Sequence, residues 1–106
     1  MEQTRLEQIL EMLNADPADS FLNYALALEY EKAGKPEEAI RMLEKLLERD
    51  PSYTGAYYKL GQLYESVKEL KKAADCYRRG VVLTQQQGHT RTWRELKEAL
   101  QQLDDQ

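Results

Sequence analysis

The sequence is poor in the residues that build metal, redox and catalytic sites. It has one cysteine, Cys76, and one histidine, His89. A single cysteine excludes a disulfide within the chain, and the two residues together are too few for a zinc site. No acidic residue is placed by spacing to orient His89 as a general base. We therefore expect no bound metal, no cofactor, no catalytic residue and no enzymatic activity.

Long apolar runs are absent as well. No stretch of the sequence approaches the roughly 20 apolar residues that a membrane-spanning helix requires. The first residues also lack the apolar segment that is typical of a signal peptide. We therefore expect a cytoplasmic protein that makes no membrane contact.

The sequence also lacks the basic excess that nucleic-acid binding requires. Fifteen Lys and Arg residues stand against nineteen Asp and Glu residues, so the formal net charge is −4, which opposes binding to a phosphate backbone. A basic cluster in residues 68–79 is interrupted by Glu69 and Asp75. We therefore expect no nucleic-acid partner. Hydrophobic residues at 42% and charged residues at 32% are typical of folded helices with one solvated face.

What the chain does contain is an internal repeat with a period of 34 residues. The identical pairs at this offset include Asp16 and Asp50, Pro17 and Pro51, Tyr24 and Tyr58, Leu26 and Leu60, Tyr30 and Tyr64, Glu31 and Glu65, Ala39 and Ala73. Ala27 and Gly61, also one period apart, are both small, as close helix packing requires. The period therefore indicates a repeated structural unit.

Turn residues divide each period into two helices. Gly34 favours the left-handed turn that ends a helix, and Pro36 suits the first turn of the next one. Asp-Pro pairs stop the preceding helix, because proline lacks an N–H group and restricts the residue before it. The pattern predicts six helices and no strands, with the helices near residues 2–14, 18–33, 36–49, 53–67, 70–87 and 90–104.

These residues carry a family resemblance. The segment Ala56-Tyr57-Tyr58-Lys59-Leu60-Gly61-Gln62-Leu63-Tyr64, followed by Ala73, Tyr77 and Gly80, resembles a tetratricopeptide repeat. Tyr57 stands where that family usually has tryptophan, and Asn23 stands at the same place one period earlier. The second repeat also departs from the first at Lys68, which replaces Gly34.

The resemblance implies a fold class and a domain organisation. The fold is an all-α, right-handed α-solenoid of two tetratricopeptide helix pairs plus one flanking helix at each end. A single domain would span 1–106, with an N-terminal flanking helix at 2–14, repeat 1 at 20–53, repeat 2 at 54–87 and a C-terminal capping helix at 90–104. Whether that last helix caps the solenoid or covers its groove is left open.

The resemblance also implies a binding surface. In the family, the first helices of successive repeats line a concave groove that holds peptides or partner helices. Leu26, Ala27 and Tyr30 occupy packing positions, whereas a second stripe on the same helix faces the groove. The expected partner-binding residues are Phe21, Tyr24, Leu28 and Glu31 in repeat 1, and Tyr58, Lys59, Gln62 and Glu65 in repeat 2. Tyrosine suits such a surface because it combines a large apolar body with a hydroxyl group.

The function predicted from these features is a protein–protein interaction module, a scaffold or adaptor, for a peptide or partner helix of unknown identity. Glu31 and Glu65, if they line the groove, favour an apolar segment that carries a Lys or Arg. The cluster of Lys, Arg and Asn with which some family members bind a C-terminal carboxylate is not reproduced here. One alternative is that the aromatic stripe is packing. Another is a homodimerisation module whose exposed apolar groove is the self-association surface.

Overall fold

The computed structural model describes residues 3–105, and this range contains six α-helices and no strands. In chain order the helices are α1 (Arg5–Ala15), α2 (Ser20–Lys32), α3 (Pro36–Arg49), α4 (Gly55–Ser66), α5 (Leu70–Gln87) and α6 (Thr90–Asp104). The predicted number and order of helices are therefore confirmed. Residue 2, where the sequence analysis began the first helix, lies outside the described residues.

Capping side chains explain where the first two helices begin. The Thr4 hydroxyl accepts a hydrogen bond from the Glu7 N–H at 3.1 Å, so α1 begins at Arg5. The Asp19 carboxylate accepts from the Leu22 N–H at 2.8 Å, so α2 begins at residue 20 and not at the predicted residue 18. An N-cap residue keeps an extended backbone while its side chain satisfies a free N–H of the first turn. Hydrophobic spacing alone does not locate such a residue.

The chain divides into two compact units between Asp50 and Pro51. We call them unit 1, with α1 to α3, and unit 2, with α4 to α6. In unit 1, α2 packs against both α1 and α3. In unit 2, α5 packs against both α4 and α6. Each unit therefore has one central helix between two neighbours.

The core of unit 1 combines residues from all three of its helices. Ile9 of α1 and Leu26 of α2 are buried together, and Leu6, Leu13, Tyr30 and Met42 pack against this pair. Further along α3, Leu43 and Leu46 have almost no solvent exposure. Burial of a leucine side chain contributes roughly 1.5–3 kcal/mol. The apolar faces of the helices in unit 1 thus pack against one another.

The turn after the first helix of each repeat has the same backbone geometry in both units. Gly34 has φ of 79°, and Lys68, one period later, has φ of 66°. In the first turn the Lys35 N–H donates to the Tyr30 carbonyl at 2.9 Å, and the second turn has the equivalent bond at 2.8 Å. Both turns are Schellman caps, which require a left-handed residue. Lys68 therefore adopts a conformation that a side chain makes unfavourable.

Replacing Lys68 with glycine is expected to raise the free energy of unfolding by about 1 kcal/mol, because glycine has no Cβ to clash in the left-handed region. Chemical denaturation of the purified variants measures this change. The matched control is Lys71→Gly, which places glycine at an exposed position in the first turn of α5 and should lower stability by about 0.5–1 kcal/mol. Destabilisation by both substitutions would contradict the assignment of strain to Lys68.

Candidate partner-binding surface

The four predicted binding residues of unit 1, Phe21, Tyr24, Leu28 and Glu31, lie on one side of α2, because their spacing of three, four and three residues follows the helical turn. We call them the α2 stripe. Phe21 is 63% exposed, whereas the other three side chains are half-buried. An exposed phenylalanine is a large apolar surface left in water. Phe21 is thus the most accessible apolar residue of the stripe.

The corresponding residues of unit 2 are Tyr58, Gln62 and Glu65, which lie on one side of α4 with Lys59 beside them. We call these four residues the α4 stripe. Gln62 is exposed, and Tyr58, Lys59 and Glu65 are half-buried. This stripe is more polar than the α2 stripe, because it has no counterpart of Phe21 or Leu28. The two stripes therefore offer different chemistry.

A fully buried tyrosine lies directly beneath the α4 stripe. Tyr77 of α5 has no solvent exposure, and its ring lies over the backbone of Gly61. A Cβ atom added at Gly61 would be 2.2 Å from the ring carbon Cε1, so only glycine permits this approach. The Tyr58 ring packs nearby, with ring centroids 6.2 Å apart and planes tilted by 48°. Tyr58 is therefore partly a packing residue of unit 2.

The hydroxyl group of Tyr77 donates a hydrogen bond of 2.5 Å to Oε2 of Glu65. Burial, together with this bond to the acidic side chain, raises the pKa of Tyr77 far above its usual value. The phenol thus stays protonated and remains a hydrogen-bond donor at neutral pH. The sequence identified Tyr77 only as part of the repeat motif and did not predict this contact. The two residues are twelve positions apart and on different helices, so no local pattern reveals it.

The residue at the position where the family usually has tryptophan makes an equivalent hydrogen bond in both units. The Tyr57 hydroxyl donates to the Pro51 carbonyl at 2.8 Å. One period earlier, the Asn23 amide donates to the Pro17 carbonyl at 3.0 Å. Both side chains satisfy a carbonyl in the turn before their own helix. The Asn23 side chain therefore stabilises the turn by this hydrogen bond, which explains how a small polar residue can replace an aromatic one.

The last helix packs against α5 within unit 2. Leu96 is its one buried side chain among the described residues, and a Cβ at Gly80 would be 2.8 Å from Leu96 Cδ1. Trp93 is half-buried with the Lys97 ammonium 4.9 Å from its ring centroid. Gln62 of the α4 stripe stays exposed. Small residues on α5 thus allow α6 to lie close to it.

Cys76 and His89, the two residues considered for metal binding or catalysis, do not form a metal or catalytic site in the described residues. Cys76 is half-buried in α5, and His89 is exposed just before α6, with its Nδ1 3.5 Å from the Thr54 hydroxyl. Among residues 3–105, no group of three or more His, Cys, Asp and Glu side chains could hold a metal ion. In the same range, each helix is too short or too polar to cross a lipid bilayer.

Comparisons with known proteins agree with the repeat seen in the sequence and the structure. A family model described as a tetratricopeptide repeat matches residues 24–88. The crystal structure of a tetratricopeptide repeat domain protein from Salinibacter ruber is 36% identical, covers 82% of this chain and 97% of that chain, and superposes with a TM-score of 0.78. A TPR repeat-containing protein of Pseudomonas aeruginosa is 25% identical over 99 residues, which are 93% of this chain and 94% of that protein.

A more distant structure has the same fold. The TPR2B domain of yeast Sti1, solved in a complex with pHsp70, superposes with a TM-score of 0.85 at 21% identity and covers 94% of this chain and 80% of that chain. At that identity the likeness concerns the fold alone. Together the matches confirm the predicted all-α helical-repeat class, and none of them tests the individual residues of the two stripes.

Proposed function

Because the chain belongs to the tetratricopeptide repeat family, we propose that it is a protein-interaction module, a scaffold or adaptor. The α2 stripe of unit 1 and the α4 stripe of unit 2 are each a candidate contact surface for a peptide or a partner helix. The observation that carries this proposal is Phe21, a phenylalanine that is 63% exposed on the first helix of a repeat. The Sti1 domain, which shares the fold, was solved with pHsp70 and supports the same class of function.

Burial of Phe21 by a partner would contribute free energy to binding. Removing an exposed aromatic ring from water stabilises a complex by roughly 25 cal/mol per Å² of apolar area. The half-buried Tyr24 and Leu28 beside it already have fixed surroundings, so they lose little conformational freedom when a partner binds. An exposed anchor next to ordered neighbours is the usual composition of a binding hot spot.

The test uses an exposed apolar residue away from the stripes as its control. Val82 on α5 is 54% exposed, so Phe21→Ser and Val82→Ser both replace an exposed apolar side chain by a small polar one. Peptides are first selected on the wild-type protein from a random display library. We expect Phe21→Ser to weaken the selected peptides about tenfold, which is about 1.4 kcal/mol, and Val82→Ser to leave their affinity unchanged.

Tyr58→Ala is a poorer test, because Tyr58 also packs against Tyr77 and its removal would change stability along with binding. Equal affinities of wild type and Phe21→Ser would refute the role of the α2 stripe.

Light scattering of the same samples addresses the alternative of self-association. A wild-type dimer that resists salt and that Phe21→Ser converts to a monomer would favour homodimerisation through this surface instead.

A further inference from the structure

We propose that Glu65 is a carboxylate positioned in advance to bind a Lys or Arg side chain of the partner, and that Tyr77 is the residue that positions it. This inference rests on the proposed function and specifies the partner's chemistry. The segment that fits is a peptide with one basic residue flanked by apolar residues, and acidic peptides are disfavoured.

The carboxylate of Glu65 is held in a defined geometry. Its Oε2 atom accepts the Tyr77 hydroxyl at 2.5 Å, in the range typical of a charge-assisted bond between a hydroxyl and a carboxylate. Tyr77 cannot move away, because its ring is fully buried against Gly61. A carboxylate has about four lone-pair positions, and this bond uses one. The side chain is therefore held in place while Oε1 keeps its capacity to accept bonds from a cation.

The negative charge of Glu65 also favours a basic partner residue. Among residues 3–105 the structure shows no cationic side chain paired with Glu65, although the carboxylate is half-buried. Partial burial reduces solvent screening, so a positive charge arriving there is attracted more strongly than at a fully exposed acid. Because Tyr77 already restricts the side chain, less conformational entropy is lost when the cation binds. A basic partner residue is thus the group that completes this site.

The neighbours of Glu65 on α4 also suit a basic side chain. Tyr58 and Gln62 lie on the same side of the helix, at the spacing of successive turns. The half-buried Tyr58 ring offers an apolar face to the methylene groups of a long basic side chain, and the exposed Gln62 amide offers hydrogen bonds to a peptide backbone. These neighbours match a Lys or Arg within an apolar segment.

Unit 1 has a different residue at the position of Tyr77. Glu31 occupies the position of Glu65 one period earlier, but Leu43 stands in the place of Tyr77. Leucine has no hydroxyl group, so Leu43 cannot make the bond that Tyr77 makes to Glu65. We therefore assign the charge selection to Glu65, the acid that Tyr77 holds.

The experiment compares peptides that differ in one residue. Random peptides selected on wild type should be enriched in Lys and Arg at one position, and for a chosen peptide the version with Lys should bind about tenfold tighter than the version with Gln. Glu65→Gln keeps an acceptor for the Tyr77 hydroxyl but removes the charge, and should bring this ratio near one. Glu98→Gln makes the same change at an exposed acid of α6 and should leave the ratio unchanged.

Tyr77→Phe tests the positioning role, because phenylalanine keeps the ring and removes only the hydroxyl. We expect the Lys-to-Gln affinity ratio to fall about threefold while affinity for the Gln peptide stays the same, since a neutral residue makes no use of the carboxylate. Altered packing alone would weaken both peptides equally, and that result would overturn the positioning role.

Two outcomes separate this inference from the function on which it rests. Selected peptides that bind wild type without preference for Lys or Arg, or with preference for acidic residues, would overturn the role of Glu65 and leave the interaction module intact. Failure to select any peptide on wild type would instead contradict the proposed function.

Discussion

Replacing Gly61 with alanine is expected to lower the free energy of unfolding by about 3 kcal/mol. A Cβ at this position would be 2.2 Å from Cε1 of the Tyr77 ring and 2.7 Å from two further ring atoms. The ring is fully buried among close-packed side chains, so the ring or the two helices must shift to make room for the added atom. This cost exceeds the roughly 1 kcal/mol that alanine adds as a better helix former. Thermal or chemical denaturation measures the difference.

Gly55→Ala is the matched control for this substitution. Gly55 begins the same helix, and a Cβ there would meet no atom within 4 Å. Alanine should therefore be neutral or should stabilise the protein by up to about 1 kcal/mol at this position. If Gly61→Ala proved as harmless as Gly55→Ala, the close approach of Tyr77 to α4 would be wrong.

Unit 1 suggests how the destabilised variant can be rescued. Ala27 and Leu43 occupy the positions of Gly61 and Tyr77 one period earlier, and both are fully buried. Unit 2 thus has glycine with a large aromatic ring at these two positions, and unit 1 has the slightly larger alanine with the smaller leucine. In a Tyr77→Leu background, Gly61→Ala should cost little or should restore stability, giving a coupling energy of about 2 kcal/mol or more. Additive effects of the two substitutions would contradict the direct contact.

Replacing Leu96 with alanine is expected to lower stability by about 3 kcal/mol, because the truncation leaves a cavity that α5 and α6 cannot easily close. Leu96 is fully buried and is the one buried residue of α6 in the described range. Its methyl groups lie close to the Gly80 position. Since Leu96 is the one fully buried side chain of α6 in the described range, we expect α6 of this variant to open at a lower denaturant concentration than the other helices.

Trp93 reports this opening directly. It is the only tryptophan of the sequence, and its indole Nε1 is buried without a hydrogen-bond partner in the described part of the chain. When α6 detaches, water reaches the ring and its fluorescence should shift to longer wavelength before the main loss of helical circular dichroism. Leu103→Ala, which truncates a half-buried leucine of the same helix, should cost only about 1 kcal/mol. Coincident transitions in Leu96→Ala would refute separate opening.

The predicted binding residues illustrate the limit of periodicity as evidence. Their spacing placed Tyr58, Gln62 and Glu65 on one side of α4, and the structure has them there. The same spacing could not show that Tyr58 packs on a buried ring or that a hydroxyl holds Glu65. Those facts involve Tyr77, on another helix, and the distance between two helices is not encoded in the period of either one.

The amino-acid sequence by itself determined the repeat, the six helices and the turns between them, because hydrophobic spacing and residues such as Gly34 and Pro36 act locally. It also identified Gly61 as a packing position. Only the tertiary structure showed which side chain packs against that glycine. Because Gly61 has no Cβ, α4 and α5 lie close enough for the Tyr77 ring to contact α4. This contact places the Tyr77 hydroxyl within hydrogen-bond distance of Glu65. Contacts of this kind depend on the crossing of helices, which emerges only when side chains from both are packed together.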